Sequence, residues 1–187
     1  MSGPIWLARH GETDANAEGR VQGSIDPPLN DRGREQAREL ARAVAGRGIK
    51  ALYTSGLQRA RQTAAAVAET TGLEPRIDPR LNESHRGEWE GRLHNEIQGE
   101  DPDGWLAAFD GGSGFRFPGG ESVDEHGERV RAAMEEIARG PLPALVVCHG
   151  GSFRRALEAY RPDLVPAAGP VAIQNGGLFE VRVGERD

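Results

Sequence analysis

Two short apolar segments, far apart in the chain, each end in a histidine followed by glycine. The first runs from Pro4 to Ala8 and leads into Arg9-His10-Gly11. The second runs from Ala144 to Cys148 and leads into His149-Gly150-Gly151. Each pattern predicts a buried strand that delivers polar residues at its carboxyl end, which is where open α/β sheets bind ligands. If the two strands are neighbours, both imidazoles lie at the same edge of the sheet.

Strands and helices alternate along much of the chain, and this predicts the fold class. We expect an α/β fold of three layers, a mainly parallel central sheet with helices on both faces. The predicted helices run from an Asn30 cap to about Val44, from about Leu57 to Thr70, from a Ser122 cap to Ala138, and from Ser152 to about Tyr160. The further predicted strands are Ala51 to Thr54, Val171 to Ile173 and Leu178 to Val183.

The stretch from Leu81 to Gly120 is the least regular part of the sequence. It is rich in Gly, Asp, Glu and Trp, with short helices predicted over Leu93 to Gln98 and Pro102 to Phe109. We interpret residues 81–120 as a lid over the active site. The length of 187 residues fits one domain, so we expect a single domain over 1–187.

Composition excludes several classes of protein. The longest apolar runs are far shorter than the roughly 18 residues of a membrane-spanning helix, so we expect no membrane association. The formal net charge of −6 disfavours nucleic acid as a partner. No signal peptide is visible, so a cytoplasmic location is expected. His85, His94 and His126 show no metal-ligand spacing.

The chemistry expected at the sheet edge is the binding of a phosphate group. Glycine after each histidine lets the backbone approach a ligand closely, and a helix beginning at Ser152 directs free N–H groups at an anion. Arg9 and Arg59 supply planar donor pairs that match phosphate oxygens.

Four blocks of sequence together resemble the histidine phosphatase superfamily, the phosphoglycerate-mutase-like proteins. They are Arg9-His10-Gly11-Glu12-Thr13 with Asn16, Leu57 to Ala64, Leu81-Asn82-Glu83 leading to Gly87-Glu88-Trp89-Glu90-Gly91, and His149-Gly150-Gly151. The resemblance extends from Ile5 to about Val183 and implies a phosphoglycerate-mutase-like fold. It also implies phosphoryl transfer without a cofactor or a metal ion.

The resemblance assigns roles to individual residues. His10 is similar to the nucleophile that becomes phosphohistidine, and Arg9, Arg59 and His149 to the clamp on the phosphoryl oxygens. Glu83 lies where the phosphatase branch keeps its proton donor, with Glu88 as the alternative. The remaining expected substrate-binding residues are Asn16, Gln22, Gly150 and Arg86, and Arg86 with Arg116 is a candidate for reading a second negative charge.

The expected partner is a small phosphorylated metabolite, and the chain is compatible with a homodimer. The block Gly87 to Gly91 is closer to the phosphatase branch than to the glycolytic mutases, whose insertions this chain lacks. We therefore favour a phosphatase. A phosphoglycerate-mutase type of phosphoryl transfer, or a catalytically silent module that binds a phosphorylated ligand, remains as an alternative.

Overall fold

The computed structural model of the protein describes residues 3–109, 114–165 and 173–184. The strands in these ranges are β1 (Ile5–Arg9), β2 (Ala51–Thr54), β3 (Pro75–Ile77), β4 (Ala144–Cys148) and β5 (Leu178–Val181). The α-helices there are α1 (Asp14–Ala17), α2 (Asp31–Val44), α3 (Gln58–Thr71), α4 (His94–Glu100), α5 (Pro102–Phe109), α6 (Val123–Ala138) and α7 (Gly150–Tyr160). Short 3₁₀ turns cover Pro79–Leu81, Gly87–Trp89 and Pro162–Leu164.

The described strands form one mixed sheet in the order β3-β2-β4-β1-β5. Only β5 among them is antiparallel to its neighbour, β1. The two strands that end in histidine are adjacent and parallel, and the register places Arg9 opposite Cys148. His10 and His149 therefore follow the same edge of the sheet, because parallel neighbours end together. The predicted fold class, with a mainly parallel sheet, is confirmed.

Each face of the sheet is covered by a pair of helices. Side chains alternate between the two faces of a strand, so Leu7 and Val146 pack on one side with Val130, Met134 and Phe153 of α6 and α7. Ala8 and Val147 pack on the other side, with residues of α2 and α3 such as Leu40 and Val67. This two-sided burial explains why β1 and β4 are almost continuously apolar in sequence.

Helices α2 and α6, which begin with polar cap residues, begin where the sequence predicted. The side chain of Asn30 caps α2 by accepting a hydrogen bond from the Gly33 amide, and Ser122 and Glu125 form a reciprocal capping box at the start of α6. In contrast, the predicted start of α7 at Ser152 is wrong. The helix begins at Gly150, because the extended backbone of His149 provides the N-cap position.

Two elements were absent from the prediction, and two predicted strands differ from it. Helix α1 buries none of its residues and β3 is a short strand at the sheet edge, so neither has an apolar pattern. The strand predicted over Leu178 to Val183 ends at Val181. Of the strand predicted over Val171 to Ile173, residues 171–172 lie outside the described ranges, and Ile173 is not in a strand.

The irregular stretch has a small apolar core of its own. Trp89 is 3% exposed and packs against Trp105 and Phe117, with ring centroids 6.1 and 5.3 Å away. Ile97 of the same stretch belongs to this cluster, and Val21 and Val123 join it from outside the stretch. No helix within the described ranges has the length and apolar character needed to cross a bilayer.

Candidate active site

A cavity of about 190 Å³ opens at the carboxyl edge of β1 and β4. Of the site residues predicted from sequence, eight line it: Arg9, His10, Asn16, Gln22, Arg59, Glu83, Arg86 and Gly150. The ninth, His149, is fully buried beside it, with its ring centroid 5.1 Å from that of His10. The fold thus brings these nine predicted residues together.

One ring nitrogen of His10 is hydrogen-bonded to the backbone. Its Nδ1 lies 2.6 Å from the carbonyl oxygen of Gly11, and a carbonyl oxygen only accepts hydrogen bonds. Nδ1 therefore carries the proton, which leaves Nε2 with a lone pair. Burial, and next the positive charges of Arg59 and Arg9, hold the pKa of His10 well below its usual range. The ring is a neutral base at physiological pH.

The glycine after His10 has a different purpose from the one predicted. A Cβ atom on Gly11 would lie 2.3 Å from the carbonyl oxygen of Gly33 in α2. A Cβ on Gly33 would likewise lie 2.0 Å from the carbonyl oxygen of Glu12. Gly11 therefore permits two backbone segments to pack closely, and the expectation that it admits a ligand is corrected.

His149 is oriented by a serine that the sequence analysis did not identify. Ser55, directly after β2, accepts a hydrogen bond from the Leu57 amide and lies 2.6 Å from His149 Nε2. The Leu57 amide uses one of the two acceptor sites of this hydroxyl; when the hydroxyl donates its proton to Nε2, the ring hydrogen lies on Nδ1. Nδ1 is buried without a hydrogen-bond partner among the described residues.

The two clamp arginines are held by backbone carbonyl groups. Arg59 is 1% exposed and donates to the carbonyl oxygens of Ile25 and Gly23, at 2.7 and 2.9 Å. Arg9 donates to the carbonyl oxygen of Ile173. Burial lowers the pKa of Arg59 to about 10, which leaves it charged at neutral pH. Within the described ranges, the Nε atoms of Arg9 and Arg59 have no partner.

Glu83 accepts a hydrogen bond from the start of α7. Its Oε2 lies 2.9 Å from the amide nitrogen of Gly151 and 3.7 Å from the guanidinium of Arg86. Burial raises the pKa of Glu83, but the charge of Arg86 and the Gly151 hydrogen bond contribute to holding it well below its usual range. The carboxyl group is therefore ionised in the unliganded site. Glu88, the alternative acid, is exposed and does not line the cavity.

Asn16 and Gln22 are joined through the buried hydroxyl of Thr13. Their side-chain oxygens lie 3.1 and 3.0 Å from Thr13 Oγ1. Thr13 has one hydroxyl proton, so it donates to one of these two oxygens at a time. Arg116 does not line the cavity: it pairs with Glu125 at 2.6 Å and is exposed. Its predicted part in reading a second charge is not supported.

Other cavity residues were not predicted from sequence as parts of the site. His126 of α6 is 3% exposed and lies 3.0 Å from the hydroxyl of Ser152, which bonds in turn to the carbonyl oxygen of Asn82. Burial lowers the pKa of His126 to about 3, so the ring is neutral. Arg154 and Arg155 of α7 also line the cavity. Helical spacing from Gly150 and Gly151 is the sequence signal that could have identified these arginines.

The arrangement presents hydrogen-bond donors and positive charge around one nucleophilic nitrogen. Donors and cations of this kind stabilise the oxygens of a phosphoryl group in transfer. In the three described ranges, no group of three or more His, Cys, Asp or Glu side chains is placed to hold a metal ion.

Comparison with known proteins agrees with this chemistry. Residues 5–186 match the family described as the histidine phosphatase superfamily, branch 1. A probable phosphoglycerate mutase GpmB from Serratia proteamaculans is 42% identical over 149 residues, which span 78% of this chain and 69% of that protein.

Solved structures are similar over nearly the whole chain. A mycobacterial glucosyl-3-phosphoglycerate phosphatase, solved with VO3, superposes with a TM-score of 0.83 at 31% identity, covering 95% of this chain and 90% of the other. YhfR of Bacillus stearothermophilus superposes with a TM-score of 0.84 at 29% identity, covering 96% and 91%.

Proposed function

This chain belongs to the histidine phosphatase superfamily (branch 1), and we propose that it hydrolyses a small phosphate monoester through a phosphohistidine at His10. As a member of this superfamily it is an enzyme of phosphoryl transfer. The proposal adds that water is the final acceptor and that the reaction needs no metal ion.

The observation that carries the proposal is a set of three buried nitrogen atoms without partners. Among the described residues, Arg9 Nε, Arg59 Nε and His149 Nδ1 are the buried donors beside the His10 ring that lack a hydrogen bond. Buried donors are rarely left unsatisfied, because each costs the free energy of its lost hydration. Phosphoryl oxygens supply the missing acceptors, so the site is preorganised for an oxyanion.

In the first step, the lone pair of His10 Nε2 attacks phosphorus in line with the bond to the leaving group. The P–N bond forms as the P–O bond breaks, and the leaving oxygen takes a proton from Glu83. The imidazole becomes cationic, and its Nδ1 hydrogen remains bonded to the Gly11 carbonyl oxygen. Arg9 and Arg59 stabilise the charge on the three transferred oxygens.

In the second step, water attacks the phosphohistidine. Glu83, now a carboxylate, takes a proton from the water as the new P–O bond forms and the P–N bond breaks. This returns His10 to its neutral form and leaves Glu83 protonated. The phosphate takes that proton with it as it dissociates in its singly charged form, which restores the carboxylate of the free site. One carboxyl group thus serves both half-reactions.

Because Glu83 is ionised in the free site, the proton that it gives to the leaving oxygen must come from the substrate. The free site holds Glu83 as a carboxylate, so it cannot act as an acid before the substrate arrives. A phosphate monoester in its singly charged form carries one proton on the phosphoryl group. On binding, that proton moves to Glu83, and the doubly charged phosphoryl group binds the arginine clamp.

Transfer to a phosphoglycerate is the second candidate, supported by the GpmB relative from Serratia proteamaculans. In that case the phosphohistidine would return its phosphoryl group to a second position of the substrate. The similarity to the mycobacterial glucosyl-3-phosphoglycerate phosphatase supports hydrolysis instead. We also propose that the described residues of the stretch 81–120 cover the site and set the choice of leaving group; residues 110–113 of the predicted lid lie outside the described ranges.

Product analysis tests the proposal and separates the two candidates. The purified protein is incubated with a panel of phosphate monoesters, including 3-phosphoglycerate and p-nitrophenyl phosphate, with and without a strong chelator. We expect stoichiometric release of inorganic phosphate that the chelator does not reduce, and competitive inhibition by vanadate. Isomerised phosphoglycerate without phosphate release would establish the mutase, and activity restored only by a divalent ion would contradict the metal-free mechanism.

A further inference from the structure

The segment that carries Glu83 belongs to no helix or strand. Residues 82–86 lie between the 3₁₀ turns Pro79–Leu81 and Gly87–Trp89. Regular backbone hydrogen bonds of a helix or sheet therefore do not fix this part of the chain. A proton donor must nevertheless lie within hydrogen-bond distance of the leaving oxygen. The backbone beneath Glu83 is therefore held in another way.

The guanidinium group of Arg129 in α6 binds this backbone. Its Nη1 donates to the carbonyl oxygens of Arg80 and Asn82, each at 2.7 Å. Its Nη2 donates to the carbonyl oxygen of Glu83 itself, at 3.2 Å. One side chain thus binds three carbonyl groups within four consecutive residues, and it fixes them to a helix of the main core.

The remaining donors of Arg129 bind the carboxylate of Glu121. Nε lies 2.7 Å from Oε1 and Nη2 lies 2.8 Å from Oε2. A guanidinium has five N–H donors in one plane, and its five hydrogen bonds here match that number. Glu121 also binds the backbone beyond Glu83, because its Oε2 accepts from the His85 amide at 3.3 Å and its own amide donates to the His85 carbonyl oxygen at 2.8 Å.

This ion pair is better suited to fixing positions than to stabilising the fold. The side chains of Arg129 and Glu121 are 23% and 16% exposed. A largely buried ion pair contributes little to the free energy of unfolding, because the loss of hydration offsets the attraction of the charges. The rigid plane of a guanidinium does, however, fix the acceptors that it binds relative to one another.

Glu83 is consequently held at both of its ends. Its carboxylate accepts a hydrogen bond from the Gly151 amide of α7, and its backbone carbonyl group accepts one from Arg129 of α6. These two helices pack together on one face of the sheet. The position of the carboxylate relative to His10 therefore depends on both contacts.

We propose that Arg129, paired with Glu121, is a positioning residue for the proton donor Glu83. Arg129 does not line the cavity, so it acts through the backbone of residues 80–85 and not on the substrate. The inference rests on the proposed phosphatase function, in which Glu83 protonates the leaving oxygen. Loss of the Arg129 hydrogen bonds weakens proton donation and leaves the arginine clamp on the phosphoryl group in place.

Arg129→Lys tests this role with two substrates. Lysine keeps the positive charge beside Glu121, but one ammonium group cannot replace the planar donors. We expect kcat/KM for an alkyl phosphate to fall by about tenfold or more, and that for p-nitrophenyl phosphate to fall much less, because nitrophenolate departs without a proton. An equal fall on both substrates, which a general loss of active protein would cause, overturns the inference, and so does no change.

Combination with Glu83→Gln tests whether Arg129 acts through Glu83. Two substitutions that remove the same contribution are not additive. In the Glu83→Gln background, Arg129→Lys should therefore change kcat/KM for the alkyl phosphate by less than about twofold. If Arg129→Lys lowers this value by the same factor in both backgrounds, Arg129 acts independently of Glu83 and the inference is wrong.

The matched control is another ion pair between α6 and the same segment. Oε2 of Glu136, whose side chain is 67% exposed, lies 2.9 Å from Nη2 of Arg80. This contact involves the Arg80 side chain and not the backbone of the segment. Glu136→Gln should therefore leave kcat/KM unchanged for both substrates. A loss that depends on the leaving group, as large as that of Arg129→Lys, would contradict a specific role for Arg129.

The failures of the two proposals are distinguishable. If no phosphate ester is hydrolysed, p-nitrophenyl phosphate included, the phosphatase function is wrong. If esters are hydrolysed but the effect of Arg129→Lys does not depend on the leaving group, the role of Arg129 is wrong. Should Arg129→Lys fail to fold, the double variant Arg129→Gln with Glu121→Gln replaces it. That variant leaves neither charge of the pair without its partner, and the same outcomes decide.

Discussion

A backbone carbonyl group determines which nitrogen of His10, the proposed nucleophile, has a free lone pair. Because the Gly11 oxygen takes the Nδ1 hydrogen, the lone pair is on Nε2 before any substrate binds. Burial and two arginines keep the ring neutral, and a neutral ring is the reactive form. The same arginines neutralise the phosphoryl group, so one set of charges both activates the nucleophile and stabilises its product.

Replacement of Glu83 by Gln should distinguish between leaving groups. An alkyl phosphate, whose alcohol is a poor leaving group, should lose about a hundredfold or more in kcat without a proton donor. A nitrophenyl phosphate should lose much less in its first step, because nitrophenolate departs without a proton. The second step should then limit turnover. Stopped-flow measurements should therefore show a burst of nitrophenolate from the first turnover.

The matched control for this prediction is Glu88→Gln. Glu88 is exposed and outside the cavity, so its replacement should change neither rate. A loss that depends on the leaving group in Glu88→Gln, with an equal small loss on both substrates in Glu83→Gln, would move the proton donor to Glu88.

Because the pKa of Glu83 is lowered, the pH dependence of kcat/KM provides a second test of the Glu83→Gln variant. Free Glu83 is ionised at neutral pH, so the reactive combination is carboxylate enzyme with singly protonated substrate. Above the second pKa of a phosphate monoester, about 6, kcat/KM of the wild type on an alkyl phosphate should fall about tenfold per pH unit. In Glu83→Gln this decline should disappear. A wild-type profile that rises through pH 7 would contradict the proton route.

The placement of single residues at the cavity could be predicted where a motif marks them and not where no motif does. Arg9, His10 and Arg59 lie in blocks whose order along the chain is distinctive. Ser55 and His126 act on the site through neighbours that are remote in sequence, His149 and Ser152. No local pattern marks such residues, because their partners are known only once the strands and helices have packed.

Helix α7 provides several parts of the site within little more than one turn. Gly150 and Gly151 line the phosphoryl end, Ser152 holds the segment before Glu83, and the two arginines follow. The N–H of Gly151, which could bind a substrate anion, is already bonded to Glu83. The start of α7 therefore holds Glu83, the proposed proton donor, and the sequence pattern did not indicate this contact.

Gly151→Ala tests whether the contact with Gly151 positions Glu83, because it displaces the carboxylate without removing it. A Cβ at residue 151 would lie 2.2 Å from Glu83 Oε1, and a side-chain end can move away more easily than backbone can. The carboxylate should be displaced, and turnover of alkyl phosphates should fall by about a hundredfold, as for loss of the acid. Activity on nitrophenyl phosphate should fall less.

The control for Gly151→Ala is Gly99→Ala in α4, where an added Cβ meets nothing within 4 Å. Alanine is the better helix former, so this variant should be as stable and as active as the wild type. Thermal unfolding of both variants checks that the fold is kept. Wild-type turnover of alkyl phosphates in a folded Gly151→Ala protein would show that this contact does not position Glu83.

The complete fold joins segments that the chain keeps far apart. The order β2-β4-β1 brings Ser55, His149 and His10 to one edge of the sheet, although the last two are 139 positions apart in sequence. The sequence predicted the layers because strands buried on both faces are continuously apolar. It did not reveal the excess of arginine around the cavity, because that depends on which arginines turn inward, as Arg155 does.

The net charge of the protein and the charge of its cavity have opposite signs. The chain has a net charge of −6, yet the cavity is lined by arginines. Anionic substrates are therefore attracted by a local field and not by the whole protein. This difference in charge is consistent with a small phosphorylated substrate and disfavours a polyanion.

Trapping of the phosphorylated enzyme tests whether His10 carries the phosphoryl group. The protein is mixed with a ³²P-labelled substrate, quenched within milliseconds in alkali, and digested for mass spectrometry. We expect an acid-labile, alkali-stable label on His10 that forms at least as fast as turnover and is absent from a folded His10→Ala variant. A label on Ser152 or Cys148, or near-wild-type turnover by His10→Ala, would contradict the mechanism.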